Sequence, residues 1–236
     1  MNYSRNKKFF KQNLSVKKIL AIVALFLILG LVLFQSGLGA IFGILAGIII
    51  VVLISKKPSP DDIIADCMAQ VENARVEALD KLGLDESEVN LIDPIVIYGF
   101  DYEHNIGDDE LGECYWQYSE LKNKEKIWIT PIFSINVLYF SETEVHMYSK
   151  FISMVSTTSK LNTSTYFYKD IVSISTSSKV TVNKKGGVEE NITYDIVQLA
   201  NTGGEKFAFS TMDSAASVTN KINAFRALLR QKKLEK

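Results

Sequence analysis

The chain has 236 residues, 47% of them hydrophobic and 22% charged, with a net charge of −1. That length suits one ordinary domain plus accessory segments, and two cysteines, Cys67 and Cys114, fit a reducing compartment rather than a disulfide framework. The total hides a split: the first 57 residues hold eight Lys and Arg and no acid, whereas the rest hold 18 against 27 acids, a balance of −9 that argues against a nucleic-acid partner.

Residues 1–18 read as a basic cytoplasmic arm carrying Arg5, Lys7, Lys8, Lys11, Lys17 and Lys18. Two apolar runs follow, Ile19–Phe34 and Leu38–Ile54, sixteen and seventeen residues without a charge. As helices they reach roughly 24–26 Å, and Lys17, Lys18, Lys56 and Lys57 can snorkel beyond them. The expectation is a transmembrane hairpin over 19–54, turned at Gln35-Ser36-Gly37. Positive charge at both outer ends then puts both termini in the cytoplasm of a multi-pass plasma-membrane protein. A cleaved signal ending near Gly37–Ala40 is the alternative, opposed by the second apolar run directly behind it. Gly39, Gly43 and Gly47 fall on one helix face, suited either to packing the two helices together or to self-association.

Pro58-Ser59-Pro60-Asp61-Asp62 is a helix start. Ser59 caps, Pro60 takes the first helical position, and the acids face the positive end of the helix dipole. Apolar residues at Ile64, Cys67, Met68, Val71, Ala74, Ala78 and Leu82 keep a helical period, and Gly83 stops it. This is an amphipathic linker helix, residues 58–84, packing on the domain or pairing with a second copy. Leu84–Glu88 then reads as a turn into a second short helical segment.

From Ile95 the period becomes two. Strands are expected at Ile95–Tyr98, Glu113–Tyr118, Ile127–Phe140, Val145–Met154, Ser164–Ser175, Val180–Val182, Ile192–Leu199 and Lys206–Phe209, with turns at Gly186-Gly187 and Gly203-Gly204. An amphipathic helix, residues 213–232, closes the chain, its apolar face formed by Val218, Ile222, Phe225, Leu228 and Leu229. The fold class is therefore α+β, with an antiparallel sandwich or barrel over 91–236.

Seven or so strands before one terminal helix, with Tyr166-Phe167-Tyr168-Lys169-Asp170-Ile171-Val172-Ser173-Ile174-Ser175 at the corner, resemble bacterial pleckstrin-homology-like and GRAM-like domains. The likeness covers roughly residues 126–232, and the whole chain is similar to two-span membrane proteins of Gram-positive bacteria. The added helix and strands of Pro60–Tyr118 depart from the minimal domain. The resemblance implies a binding fold and names no ligand.

Chemistry has little to stand on. His104 and His146 are the only histidines, and neither cysteine has a second Cys or His at zinc spacing. The acidic loop, residues 101–110, offers oxygen ligands for a hard cation but not the EF-hand pattern, so a solvated connection is expected. The hydroxyl-rich stretch Ser153–Thr165 lacks a nucleophile motif. No enzyme, metal or cofactor is expected. Lys221, Arg226, Arg230, Lys232 and Lys233 are candidates for lipid-headgroup contact as well as for the negative end of the last helix. The reading is an integral membrane protein holding a cytosolic PH-like scaffolding domain at the inner leaflet, with the bilayer and a membrane or cytosolic protein as partners. Lipid sensing, or homo-oligomeric assembly through the glycine face, is the alternative.

Overall fold

The structure is a computed structural model that describes residues 1–11, 16–34, 37–103, 111, 114–183, 190–212 and 215–235. The chain divides into two compact units, Lys11–Pro58 and the remainder, residues 1–10 with 59–236.

The smaller unit holds α2 (Val16–Phe34) and α3 (Gly37–Ser55), packed on each other. The expected transmembrane hairpin is corrected here: among the described residues no helix is long and apolar enough to cross a membrane. Lys17 and Lys18 lie inside α2, which leaves sixteen apolar residues, and the run in α3 has seventeen. A span wants about 20 such residues for a hydrocarbon core of about 30 Å. Freedom from charge satisfies one requirement of a span; length is the other. With the spans goes the multi-pass plasma-membrane placement built on them.

In the larger unit, α1 (Tyr3–Phe10) is folded onto the domain, with Phe9 and Phe10 buried and the Phe10 carbonyl accepting from the Tyr115 N–H at 2.8 Å. Helix α4 (Pro60–Leu82) starts as its residues dictate. Ser59 and Asp62 form a reciprocal capping box, Pro60 sits in the first turn, and Gly83 takes the left-handed conformation, φ 67°, at the stop. Its buried stripe is Ile63, Cys67, Val71, Ala74 and Ala78; the last four belong to the expected face, Ile63 takes the place of Ile64, and Met68 is exposed. The stripe packs on the β-sheet, which is how the domain uses this helix. Leu84–Glu88 supplies only a single 3-10 turn, Glu86–Glu88.

Strands β1 (Ile95–Phe100), β4 (Ile132–Phe140), β5 (Glu144–Ser153) and β6 (Ser159–Phe167) form an antiparallel sheet in the order β1-β4-β5-β6. A ribbon of β2 (Gln117–Glu120) and β3 (Lys126–Ile129) is inserted between β1 and β4. The expected continuous strand Ile127–Phe140 breaks at Thr130-Pro131, where proline has no N–H for a ladder. A second antiparallel sheet, β7 (Ile171–Asn183), β8 (Glu190–Asn201) and β9 (Lys206–Ser210), precedes α5 (Ala215–Leu234).

The four-stranded sheet is the middle layer, and every residue of β4 is buried. Ile135, Val137 and Tyr139 face the α4 stripe. Leu138 and Phe140, with Val145 and Met147 of β5, face Ile174, Val197, Leu199 and the α5 residues Ile222 and Phe225. Period two along one strand thus serves two cores. The two sheets meet where the Met212 N–H donates to the Tyr98 carbonyl at 2.9 Å, beside Gly99, where a Cβ would stand 2.8 Å from the Ser210 oxygen. Only glycine admits that approach.

Candidate functional site

The smaller unit presents the most unusual surface. Gly43 and Gly47 face α2: a Cβ on Gly43 would collide with the Phe26 carbonyl oxygen, and one on Gly47 would lie 3.1 Å from the Val23 Cα. These two glycines let the helix backbones close, while Gly39 lies in the first turn of α3. The α2 residues nearest to them are Val23, Phe26 and Leu27. Away from that contact, Leu20, Leu25, Val32, Phe42, Val52 and Leu53 are 60–65% exposed. Side chains of this kind in water mark a surface that something else covers.

The basic cluster on α5 is arranged differently. Lys221 Nζ donates to the Val96 carbonyl at 3.0 Å, and Arg226 reaches the Ile174 carbonyl through Nε at 3.2 Å and Nη2 at 3.1 Å. Lys233 Nζ donates to the Ile171 carbonyl at 2.6 Å. Lys232 pairs with Glu142 at 2.5 Å and Glu235 at 3.1 Å. The hydrogen bond it donates to Glu142 holds its ammonium above the usual lysine range. Arg230 is exposed. Four of the five candidate headgroup cations are thus bonded within the domain, tying α5 to β1, β7 and the β4–β5 turn.

No family model, curated protein or solved structure matches this chain.

The expected membership among two-span membrane proteins with a PH-like or GRAM-like domain is therefore corrected. No family supports it, and the helices that were to supply the two spans are not long and apolar enough. What remains is the architecture itself: two antiparallel sheets, an inserted ribbon and a terminal helix.

Other polar groups were candidates for chemistry. His146 Nδ1 lies 3.2 Å from Thr165 Oγ1 and Nε2 lies 3.2 Å from Ser141 Oγ. Burial pushes the imidazole below its ordinary range against the pull of Glu144, and the ring bridges two strands and a turn. His104 and residues 104–110 of the acidic loop lie outside the described residues, as do Gly186 and Gly187. Of that loop, Asp101 is buried and Glu103 is paired with Lys179 and with the Tyr194 hydroxyl. Among the described residues no group of three or more His, Cys, Asp or Glu is placed to hold a metal. A groove of about 470 Å³ between α4 and residues 86–94 is lined by Arg75, Val76, Leu79, Val89, Ile92 and Tyr139. The Tyr139 hydroxyl there donates to the Arg75 carbonyl at 2.8 Å, a structural bond that ties the second half of α4 to the sheet.

The sequence reading missed the Asp66 hub. Asp66 Oδ2 accepts from Arg5 Nη2 at 2.8 Å, from Asn6 Nδ2 at 3.0 Å and from the Asn2 N–H at 3.5 Å. Burial raises its carboxyl pKa, but these bonds outweigh it and hold the group below the ordinary range. Asn6 is fully buried, so Asp66→Ala strands its amide and costs about 1–3 kcal/mol at pH 7. A depressed folded pKa contributes stability above the unfolded value of about 4, lost as pH falls through the folded value. Urea titrations of both chains at pH 7 and pH 3 are expected to show the gap between them narrowing at the lower pH.

Proposed function

We propose that this chain is a non-enzymatic attachment and scaffolding protein. Its helix pair lies on an anionic lipid surface, and its larger unit carries the surface that recruits a protein partner. The carrying observation is the exposed apolar surface of α2 and α3. Water leaves it uncompensated, at roughly 25 cal/mol per Å². The occupant is argued from charge. Lys11, Lys17, Lys18, Lys56 and Lys57 flank the pair, and its unit holds no acid. A second copy would bring the same charge, whereas anionic headgroups oppose it, at about 1 kcal/mol per Lys or Arg near the surface. An acidic protein partner would oppose the positive charge but not cover the area of Leu, Val and Phe. Attachment concentrates the larger unit in two dimensions, so weak contacts suffice for scaffolding.

Flotation of the full chain with vesicles tests this. It is expected to rise with phosphatidylglycerol vesicles at low salt, and to rise several-fold less with phosphatidylcholine or after Lys17→Gln with Lys18→Gln. A chain that stays at the bottom with both vesicles overturns the reading. Native mass spectrometry of gently extracted protein tests the second half, where a protein retained at fixed stoichiometry is expected and a bare chain counts against scaffolding.

A further inference from the structure

The strand edges of the larger unit are not treated alike. The outer edge of β1 is closed by the Met212 N–H on the Tyr98 carbonyl, where β9 runs into the loop before α5. The outer edge of β7 is guarded at its start, where Arg226 and Lys233 cover the carbonyls of Ile174 and Ile171. The edge of β6 has neither device. It is the last strand of the four-stranded sheet, nine residues long, without proline and with Lys160 its one charge. Edges of this kind are templates for another strand.

Parity shows which groups are open. The Ser153 N–H bonds the Thr158 carbonyl, and the Tyr168 N–H bonds the Thr143 carbonyl. With the constant register between them, antiparallel alternation turns even-numbered residues of β6 toward β5. The N–H and C=O groups of Ser159, Leu161, Thr163, Thr165 and Phe167 therefore point outward, and among the described residues none of them meets a backbone partner. Leu161 is 40% exposed and Phe167 48%.

We propose that β6 pairs antiparallel with β6 of a second copy about a two-fold axis through Thr163, joining two four-stranded sheets into one of eight. The sequence is self-complementary in that register. Thr163 faces its copy, Leu161 faces Thr165 of the partner subunit, Asn162 faces Ser164 of the partner subunit, and Ser159 faces Phe167 of the partner subunit. Lys160 comes opposite Tyr166 of the partner subunit, placing a cation beside an aromatic ring. No charge opposes a like charge. The contact is isologous, so it closes at two copies and leaves no edge to propagate. The segment carries no acid, which spares it the mutual repulsion of the rest of the acidic unit. Hydroxyl-rich strands with both faces in water make poor core, and here that composition serves an edge.

Site-directed disulfides in the full chain, in detergent and away from vesicles, test the pairing independently of lipid attachment. Cys67 and Cys114 are buried, so the introduced thiol is the accessible one. In the proposed register the two Thr163 Cα atoms stand about 5.5 Å apart, within disulfide reach. The two Leu161 Cα atoms are then separated by four residues, about 14 Å, beyond it. With oxidised glutathione, Thr163→Cys is expected to give covalent dimer as its main product. Leu161→Cys alone gives less than a tenth of that, and Leu161→Cys mixed with a mass-tagged Thr165→Cys chain gives the mixed dimer. Thr163→Cys remaining monomeric, or Leu161→Cys crosslinking as fast on its own, overturns the pairing. Absence of the mixed dimer overturns the register.

Discussion

Phe225→Ala lowers the unfolding free energy of the larger unit by about 3–5 kcal/mol. Phe225 is fully buried on α5, with its ring 5.0 Å from that of Phe140 in an edge-to-face pair at 61°. Phe140 is itself fully buried at the end of β4, so the pair joins the terminal helix to the central strand. Truncation removes the transfer term, the edge-to-face contact worth about 0.5–1.5 kcal/mol, and the packing around the cavity left behind. Nothing nearby collapses cheaply into that space, because Leu138, Val145 and Met147 are anchored in β-strands on the same face. A loss of this size is a large share of a single domain's stability. Equilibrium denaturation reads it directly, with Phe225→Leu expected to recover roughly half. A loss below about 1 kcal/mol would mean that α5 is dispensable to the second core.

Where local chemistry decides an element, the sequence showed it. Ser59, Pro60, Asp62 and Gly83 bound α4 through hydrogen bonds to residues within one turn, so its start and stop were legible without the fold. The terminal helix was legible from its 3.6-residue period, and Val218, Ile222, Phe225, Leu228 and Leu229 all lie in the core. Pro131 is a break visible in the sequence itself, and it divides one apolar run into β3 and β4. Strand β6 had no such signal. Its first five residues are exposed on both faces, which erases there the alternation that betrays a half-buried strand.

The site was less legible than the fold, for a physical reason. Four of the five cations of the α5 cluster are committed to a carbonyl or carboxylate far away in sequence, as Lys221 is to Val96 and Arg226 to Ile174. Nothing local names those acceptors, so the cluster reads as free charge. Residues 3–10 misled similarly: Lys7 and Lys8 suggest a solvated arm, yet Asn6, Phe9 and Phe10 are buried once Asp66 and Tyr115 are brought to them. The apolar pair misled through length. Sixteen and seventeen uncharged residues satisfy the polarity condition for a span and fall short of about 20.

Gly43→Leu separates α2 from α3 and costs the pair about 3 kcal/mol, the upper end of the range for overpacking. The obstacle is the backbone of α2: any Cβ at position 43 runs into the Phe26 carbonyl oxygen, with the Leu27 Cα 3.1 Å away. A side-chain clash can be relieved by a rotamer change, whereas this one yields only if a helix moves as a body. Gly47→Leu is expected to cost less, since the Cβ there stands 3.1 Å from the Val23 Cα and 3.3 Å from the Phe26 Cβ. Hydrogen exchange of the full chain reads the difference as lost protection in α2 and α3, roughly 100-fold for Gly43→Leu, since each tenfold is about 1.4 kcal/mol. Unchanged protection would mean that the glycine face is not what holds the pair. Gly43→Ala is the stringent version, because one methyl group meets the same carbonyl. If alanine there is tolerated as well as alanine at 47, the close approach of the two backbones is not the determinant, and the exposed apolar surface must be keeping the helices together by other means.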